Sequence, residues 1–221
     1  MKTNIEHSVA SVAASSHIPM SILRRPPLQH RSLIRVISIL DAAELLLTEM
    51  TPEKLQVLDI AKEANVTVGT LYHFFKDKQA ILACLVGRTT NELKFVISSA
   101  PEDVRSTSVG LLRWYFQQSV QVAKRRRVPF RLYNEFGHTQ DLEKLDSETT
   151  EMFVSRLMSA VMSENISLSE KEAKIGCEVI DKAMVAALND LANLDRDPAA
   201  QARRKAWEQM LVEYLHILLA R

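Results

Sequence analysis

The chain has 221 residues with 47% apolar, 6% aromatic and 25% charged side chains, enough to bury a core without disulfide or metal staples and too apolar for extensive disorder. Its 28 basic and 27 acidic residues leave a formal net charge of +1, so no global field draws it to nucleic acid, and any such affinity must come from local placement of Lys and Arg. Cys84 and Cys177, isolated in apolar contexts, predict two structural thiols in a reducing compartment; the absence of a membrane-length apolar run and of a signal-peptide core predicts a cytoplasmic protein without membrane partners.

Only five Gly and seven Pro punctuate long stretches rich in Ala, Leu, Glu, Lys, Arg, Gln and Met, which predicts an all-α fold. Residues 1–27, rich in Ser, Thr, Ala and His and ending in Arg24-Arg25-Pro26-Pro27, read as a flexible arm. Its basic end could reach a minor groove, and a plain tail with incidental charges explains the composition equally well. From Leu28 to Met50, Val36, Ile39, Leu40, Ala43, Leu46, Leu47 and Met50 recur at helical spacing and predict an amphipathic helix. Thr51-Pro52-Glu53 breaks it and leads through a short turn into the next helix.

Residues 56–82 hold two short helical patterns joined by a corner, the arrangement of a DNA-reading helix-turn-helix. Ile60, Ala61 and Ala64 form the first inward face and Leu71, Tyr72 and Phe75 the second, with Ala61 small because closely crossing helices leave little room. At the corner, Asn65 tolerates the left-handed conformation that ends a helix, Val66 plugs the angle and Thr67 caps the second helix. That helix presents Thr67, Val68, Gly69, Thr70 and His73 outward, small and nearly uncharged groups that suit a groove. Gly69 costs about 1 kcal/mol inside a helix relative to Ala, and close backbone approach to DNA is one reason to keep it. Asp77 then caps a fourth helix running to about Ser98, and Pro101 marks a domain boundary.

The remainder reads as long helices: one through Val109 to Ala123, a short piece over Pro129–Phe136 ended by Gly137, one from about Leu142 to Ser163, one capped by Ser167 or Ser169 and reaching Leu194, and a last one starting near Asp197-Pro198. Ile180, Ala183, Met184, Ala187, Leu188, Leu191 and Leu194 make a stripe wider than one small domain readily covers, and Trp207, Met210, Leu211, Tyr214, Leu215 and Leu218 add another. These stripes predict a four-helix interface between two copies, with burial of both within one chain as the alternative. Aromatic residues crowd into 114–136, with Trp114 and Phe130 beside Asn134 and His138, while Met158 and Cys177 could line an opposite wall. An apolar effector pocket with a few polar fixings is the expectation, and an ordinary filled core is the competing one.

The run from Ile60 to Phe75, with Lys78 and Ile81-Leu82 after it and Ile39 to Ala43 before it, resembles the N-terminal motif of the tetracycline-repressor (TetR) family over about residues 30–85. The resemblance implies a dimeric regulator: a three-helix DNA-binding domain with its connecting helix (28–100), then a ligand-binding and dimerisation domain of about six helices (101–221). Position by position it puts Thr67, Val68, Gly69 and Thr70 at base edges and Tyr72, His73 and Lys78 on phosphates of a palindromic operator. Asn65 stands where the family usually has Gly, and Gln56, a poor cap, where it usually has Thr or Ser. The implied mechanism is repression relieved by a small apolar or amphipathic effector, with no cofactor. An enzyme is disfavoured because no glycine-rich phosphate loop, metal-spaced Cys pair or nucleophile elbow occurs; a DNA-binding factor governed by a protein partner is the remaining rival.

Overall fold

The computed structural model describes residues 16–136, 139–192 and 199–220, with no account of the side chains at 134–136. The described residues contain nine α-helices, two short 3-10 turns at Met20–Ile22 and Val104–Ser106, and no strand. The helices are α1 (His30–Leu46), α2 (Val57–Glu63), α3 (Val68–Phe74), α4 (Lys78–Ser98), α5 (Ser108–Arg125), α6 (Arg127–Phe136), α7 (Gln140–Glu164), α8 (Glu170–Ala192) and α9 (Ala200–Leu219). The all-α expectation and the order of elements hold. The expected end of one helix at Leu194 and start of the next near Asp197 lie outside the described residues, as do Gly137 and His138.

Two compact units result: the described residues up to Asn91 together with Leu132–Leu145, and Glu92–Arg131 together with Asp146–Arg221. The division falls inside α4 rather than at Pro101, because Val96 and Ile97 belong to the core of the second unit.

In the first unit α1 packs on α2 and α3 through Leu33, Val36, Ile39, Leu40, Ala42 and Ala43, all buried. The stretch 81–90 of α4 is buried along its whole length, including Arg88. Arg88 satisfies its guanidinium by donating to Asp41 on α1 at 2.6 Å and to the Ser16 carbonyl at 3.1 Å. The last part of the expected free arm is therefore folded. Residues 16–25 form a strap on α4: Ile18 and Leu23 are buried, the His17 carbonyl accepts from Asn91 Nδ2 at 3.2 Å, and the Arg24 amide donates to the Phe74 carbonyl at 2.9 Å. Gly87 permits this docking, since a Cβ there would stand 2.8 Å from Pro19 Cγ and 3.2 Å from Ile22 Cδ1. The Ser- and Ala-rich composition of the arm hid the apolar Ile18, Ile22 and Leu23 that outweigh it.

In the second unit, α5, α8 and α9 pack mutually around Tyr115, Phe116, Phe153, Leu157, Cys177, Ile180 and Leu215. Gly176 on α8 sets the closeness of α9, because a Cβ would lie 2.5 Å from Leu218 Cδ2. For the wide α8 stripe the single-chain alternative holds in part, since Ala183 and Leu191 are half-buried and Leu194 lies outside the described residues. Ile180, Met184, Ala187 and Leu188 are buried within this single chain, as are Leu211, Leu215 and Leu218 of α9. The large apolar residues left exposed on these helices are Ile175, Val179 and Val185 on α8 and Met210 and Ile217 on α9.

Candidate nucleic-acid interface

The corner between α2 and α3 is specified residue by residue. Asn65 adopts φ 52°, the left-handed conformation that ends a helix, and around it the Val66 amide donates to the Ala61 carbonyl at 2.9 Å and the Asn65 amide to Lys62 at 3.1 Å. These two bonds are the paired closure of a Schellman motif, with Asn in the place usually taken by Gly. Ile60 and Ala61 are buried beneath it. Thr67 then caps α3, its Oγ1 accepting from the Thr70 amide at 3.1 Å and lying 2.9 Å from the Thr70 hydroxyl. Gln56 precedes α2 without any side-chain cap bond, and Asp77 caps α4 by accepting from the Ala80 amide at 2.8 Å.

On α3, Leu71 and Phe74 face inward with Phe75 after them, while Thr67, Gly69, Tyr72 and His73 are exposed and Val68 and Thr70 half-buried. The inward assignment of Tyr72 is thus corrected to Phe74; at 41% exposure the Tyr72 ring leaves the core and its hydroxyl is free to meet a partner on the outside. Around Gly69, a Cβ would meet nothing nearer than Thr67 Oγ1 at 3.8 Å. Nothing inside the protein requires glycine there.

Lys78 departs from expectation. Its ammonium turns inward and donates to the carbonyls of Pro52 at 2.8 Å, Leu55 at 3.0 Å and Glu53 at 3.5 Å. It closes the turn between α1 and α2, so it does not project toward a phosphate. Three carbonyls converging in a tight turn are a strong sink for an ammonium with three donors, and sequence alone does not show their convergence.

Cations reach the same face from the strap instead. Arg24 Nη1 lies 3.5 Å from the Tyr72 carbonyl, and Arg25 Nη1 lies 3.4 Å from His73 Nδ1. With Pro26, Pro27, Leu28, Gln29, Ser32, His73 and Phe74 they line a groove of about 600 Å³.

The expected effector residues fall in or against one core. Cys177 is fully buried, and burial pushes its thiol up to about 12; Trp114, Phe130 and Met158 pack partly buried on the same cluster. Among them Tyr115, one of the aromatics crowded into 114–136, is central: its hydroxyl donates to the Ile97 carbonyl at 3.2 Å and its ring meets Trp114 at 5.6 Å and Phe153 at 5.4 Å. The Asn134 side chain and His138 lie outside the described residues. Two features went unforeseen. Glu92 accepts from Arg125 at 2.8 Å and Arg126 at 3.0 Å, and although burial alone would raise its carboxyl, these bonds hold it below the usual carboxylate range. Asp190 accepts from both Arg203 and Trp207 at 2.9 Å. Among the described residues no cluster of His, Cys, Asp or Glu could hold a metal, and no helix is long and apolar enough to cross a membrane.

A helix-turn-helix precedes α4, and the elements that follow among the described residues are all helical. Residues 39–85 match the family described as bacterial regulatory proteins, tetR family. The fold is similar to a tetR-family transcriptional regulator from Streptomyces coelicolor, with TM-score 0.62 and 13% identity over 84% of this chain and 88% of that one. It is also similar to FadR from Bacillus subtilis in complex with stearoyl-CoA, with TM-score 0.59 and 18% identity over 80% and 98%. A TetR variant from Acinetobacter baumannii AYE in complex with minocycline gives TM-score 0.56 and 18% identity over 80% and 92%. No curated protein matches the sequence. Residues 39–85 thus carry the DNA-binding motif of the tetR family, and the chain as a whole shares the fold of the regulators named above.

Proposed function

We propose that the chain is a ligand-responsive repressor that binds a palindromic operator as a homodimer and releases it when a small apolar or amphipathic molecule occupies the second unit. The carrying observation is the outer face of α3: exposed or half-exposed, nearly uncharged, and with open space around Gly69. On this reading Thr67, Val68, Gly69 and Thr70 meet base edges, Val68 through a thymine methyl, and Tyr72 and His73 meet phosphates. The helices after Pro101 serve effector binding and dimerisation. Ile175, Val179, Val185, Met210 and Ile217 supply the apolar surface for pairing through α8 and α9. The core around Tyr115, with Trp114, Phe130, Met158 and Cys177, is the effector region, and relatives of this fold solved with stearoyl-CoA and with minocycline support a small-molecule effector. Coupling of about 1 to 3 kcal/mol would lower operator affinity 5- to 150-fold.

Selection of bound DNA from a random pool, repeated with candidate ligands, tests the reading. The expected product is a palindrome with half-sites about 34 to 36 Å apart or a multiple. Against it, Tyr72→Phe should weaken all operators evenly, whereas Thr70→Ala should change which operator wins. Enrichment of no sequence would refute the proposal.

A further inference from the structure

The cations of the first unit differ sharply in how they are held. Lys78 is taken up by three carbonyls, and Arg88 by Asp41 and the Ser16 carbonyl. Arg24 and Arg25 are exposed, and among the described residues neither meets a carboxylate. Yet their position is fixed. The strap carrying them is anchored by buried Ile18 and Leu23, by the Pro19 and Ile22 contacts at Gly87, and by the Arg24 amide on the Phe74 carbonyl. Each guanidinium has five donors and, among the described residues, uses one long contact, to the Tyr72 carbonyl or to His73 Nδ1.

We propose that the groove between the strap, the end of α3 and the start of α1 is a second, sequence-independent site for an operator phosphate, with Arg24 and Arg25 as its clamp. This rests on the reading of the chain as an operator-binding regulator and deepens it. Two guanidiniums that meet no carboxylate among the described residues are held beside Tyr72 and His73, on the face that would meet the duplex, and their planar forks match phosphate oxygens. Gln29 and Ser32 line the same groove with neutral donors. Because the strap is docked, the arginines cannot trail into a minor groove as a loose arm would, so backbone contact is the geometry left to them. Docking also means that less side-chain and chain freedom is lost on binding. With Lys78 turned inward, this pair replaces the phosphate contact expected at the start of α4.

The test is a salt series of operator affinity, using the selected operator and the full chain. Arg24→Gln/Arg25→Gln should flatten the slope of log K against log salt by roughly 2 per dimer, about 0.9 for one phosphate per protomer. Arg24→Lys/Arg25→Lys should keep most of the slope. Gly87→Ala leaves every charge in place but pushes on Pro19, so faster amide exchange at Arg24 should accompany a flattened slope. If the wild type binds its operator and the Gln pair leaves the slope unchanged, the strap site is overturned while the proposed function stands. If the wild type selects no DNA, both fall. A strap freed by Gly87→Ala with an unchanged slope would overturn the fixed clamp.

Discussion

Lys78 offers a clean choice between two physical roles. In Lys78→Met the side chain keeps its length and helix propensity but loses the ammonium, leaving the Pro52 and Leu55 carbonyls without their donors at 2.8 and 3.0 Å. Hydrogen bonds to a charged group are worth about 1.5 to 3 kcal/mol each, and the half-buried site lets water recover part, so a loss of about 2 to 4 kcal/mol is expected. For a chain of this size that lowers Tm by about 5 to 15 °C, at 2 to 4 °C per kcal/mol. The salt dependence of operator binding, measured well below the variant's Tm, should stay that of the wild type, because the ammonium touches no phosphate. Circular dichroism melting and a salt series of anisotropy titrations read both quantities on one preparation. An unchanged Tm with a slope flattened by roughly 1.8 per dimer would refute the structural role and restore the phosphate contact.

Three further outcomes follow from the second unit. Gly176→Ala should destabilise by about 1 to 2 kcal/mol in urea unfolding, since overpacking against buried Leu218 exceeds the helix-propensity gain, and Gly176→Ala/Leu218→Ala should lose less than the sum of the single changes. Glu92→Gln should cost about 1 to 3 kcal/mol at neutral pH by breaking its bonds to Arg125 and Arg126. Because the folded carboxyl lies below its usual range, this contribution is present above the unfolded value of 4.5 and fades as pH falls through the folded one, which urea titrations over acidic pH will show. Asp181→Asn should do the opposite and stabilise by about 1 to 3 kcal/mol at pH 7. Burial, aided by Asp146, lifts the Asp181 carboxyl to about 6 from 3.8, so the wild type gains stability as pH falls through about 6 and the variant shows no such gain. Asn retains an acceptor for the Thr150 hydroxyl, which bonds Asp181 at 3.2 Å.

Local chemistry was legible wherever a residue acts on its own neighbours. Asn65 could be read as a helix stop, Thr67 and Asp77 as caps and Gln56 as a missing cap, because each of these effects spans at most four residues of chain. Burial was legible less well. Tyr72 and Phe74 sit two positions apart, and propensity does not say which of two aromatics turns inward. Long-range partners were not legible at all. Lys78 finds carbonyls 23 and 26 residues away, and the strap finds Arg88 and Asn91 at separations of 72 and 74. The α8 stripe left two readings open for a related reason: its width shows how much apolar surface exists, whereas α5 and α9 of the same chain decide how much is already covered. A hint of the strap was present in Gly87, a residue without a side chain directly after the large apolar Leu85 and Val86, though it signals close approach without naming what approaches.

The strap also explains how a reading helix of only seven residues holds its position. Isolated helices of fewer than about 12 residues are marginal in water, so α3 depends on what meets its two ends. Its N-terminus is closed by Thr67 and by the Schellman corner. Its last carbonyls have no partners within the helix. The Leu71 carbonyl takes the Phe75 amide, the Phe74 carbonyl takes the Arg24 amide, and the Arg24 guanidinium reaches the Tyr72 carbonyl. A cation at that end also opposes the negative pole of the helix. Arg24 thus anchors α3 through its backbone and offers charge outward through its side chain, so Arg24→Gln removes the charge while leaving the amide bond that holds the helix. A loss of salt dependence in that variant, with amide exchange in α3 unchanged, would then report on phosphate contact rather than on collapse of α3.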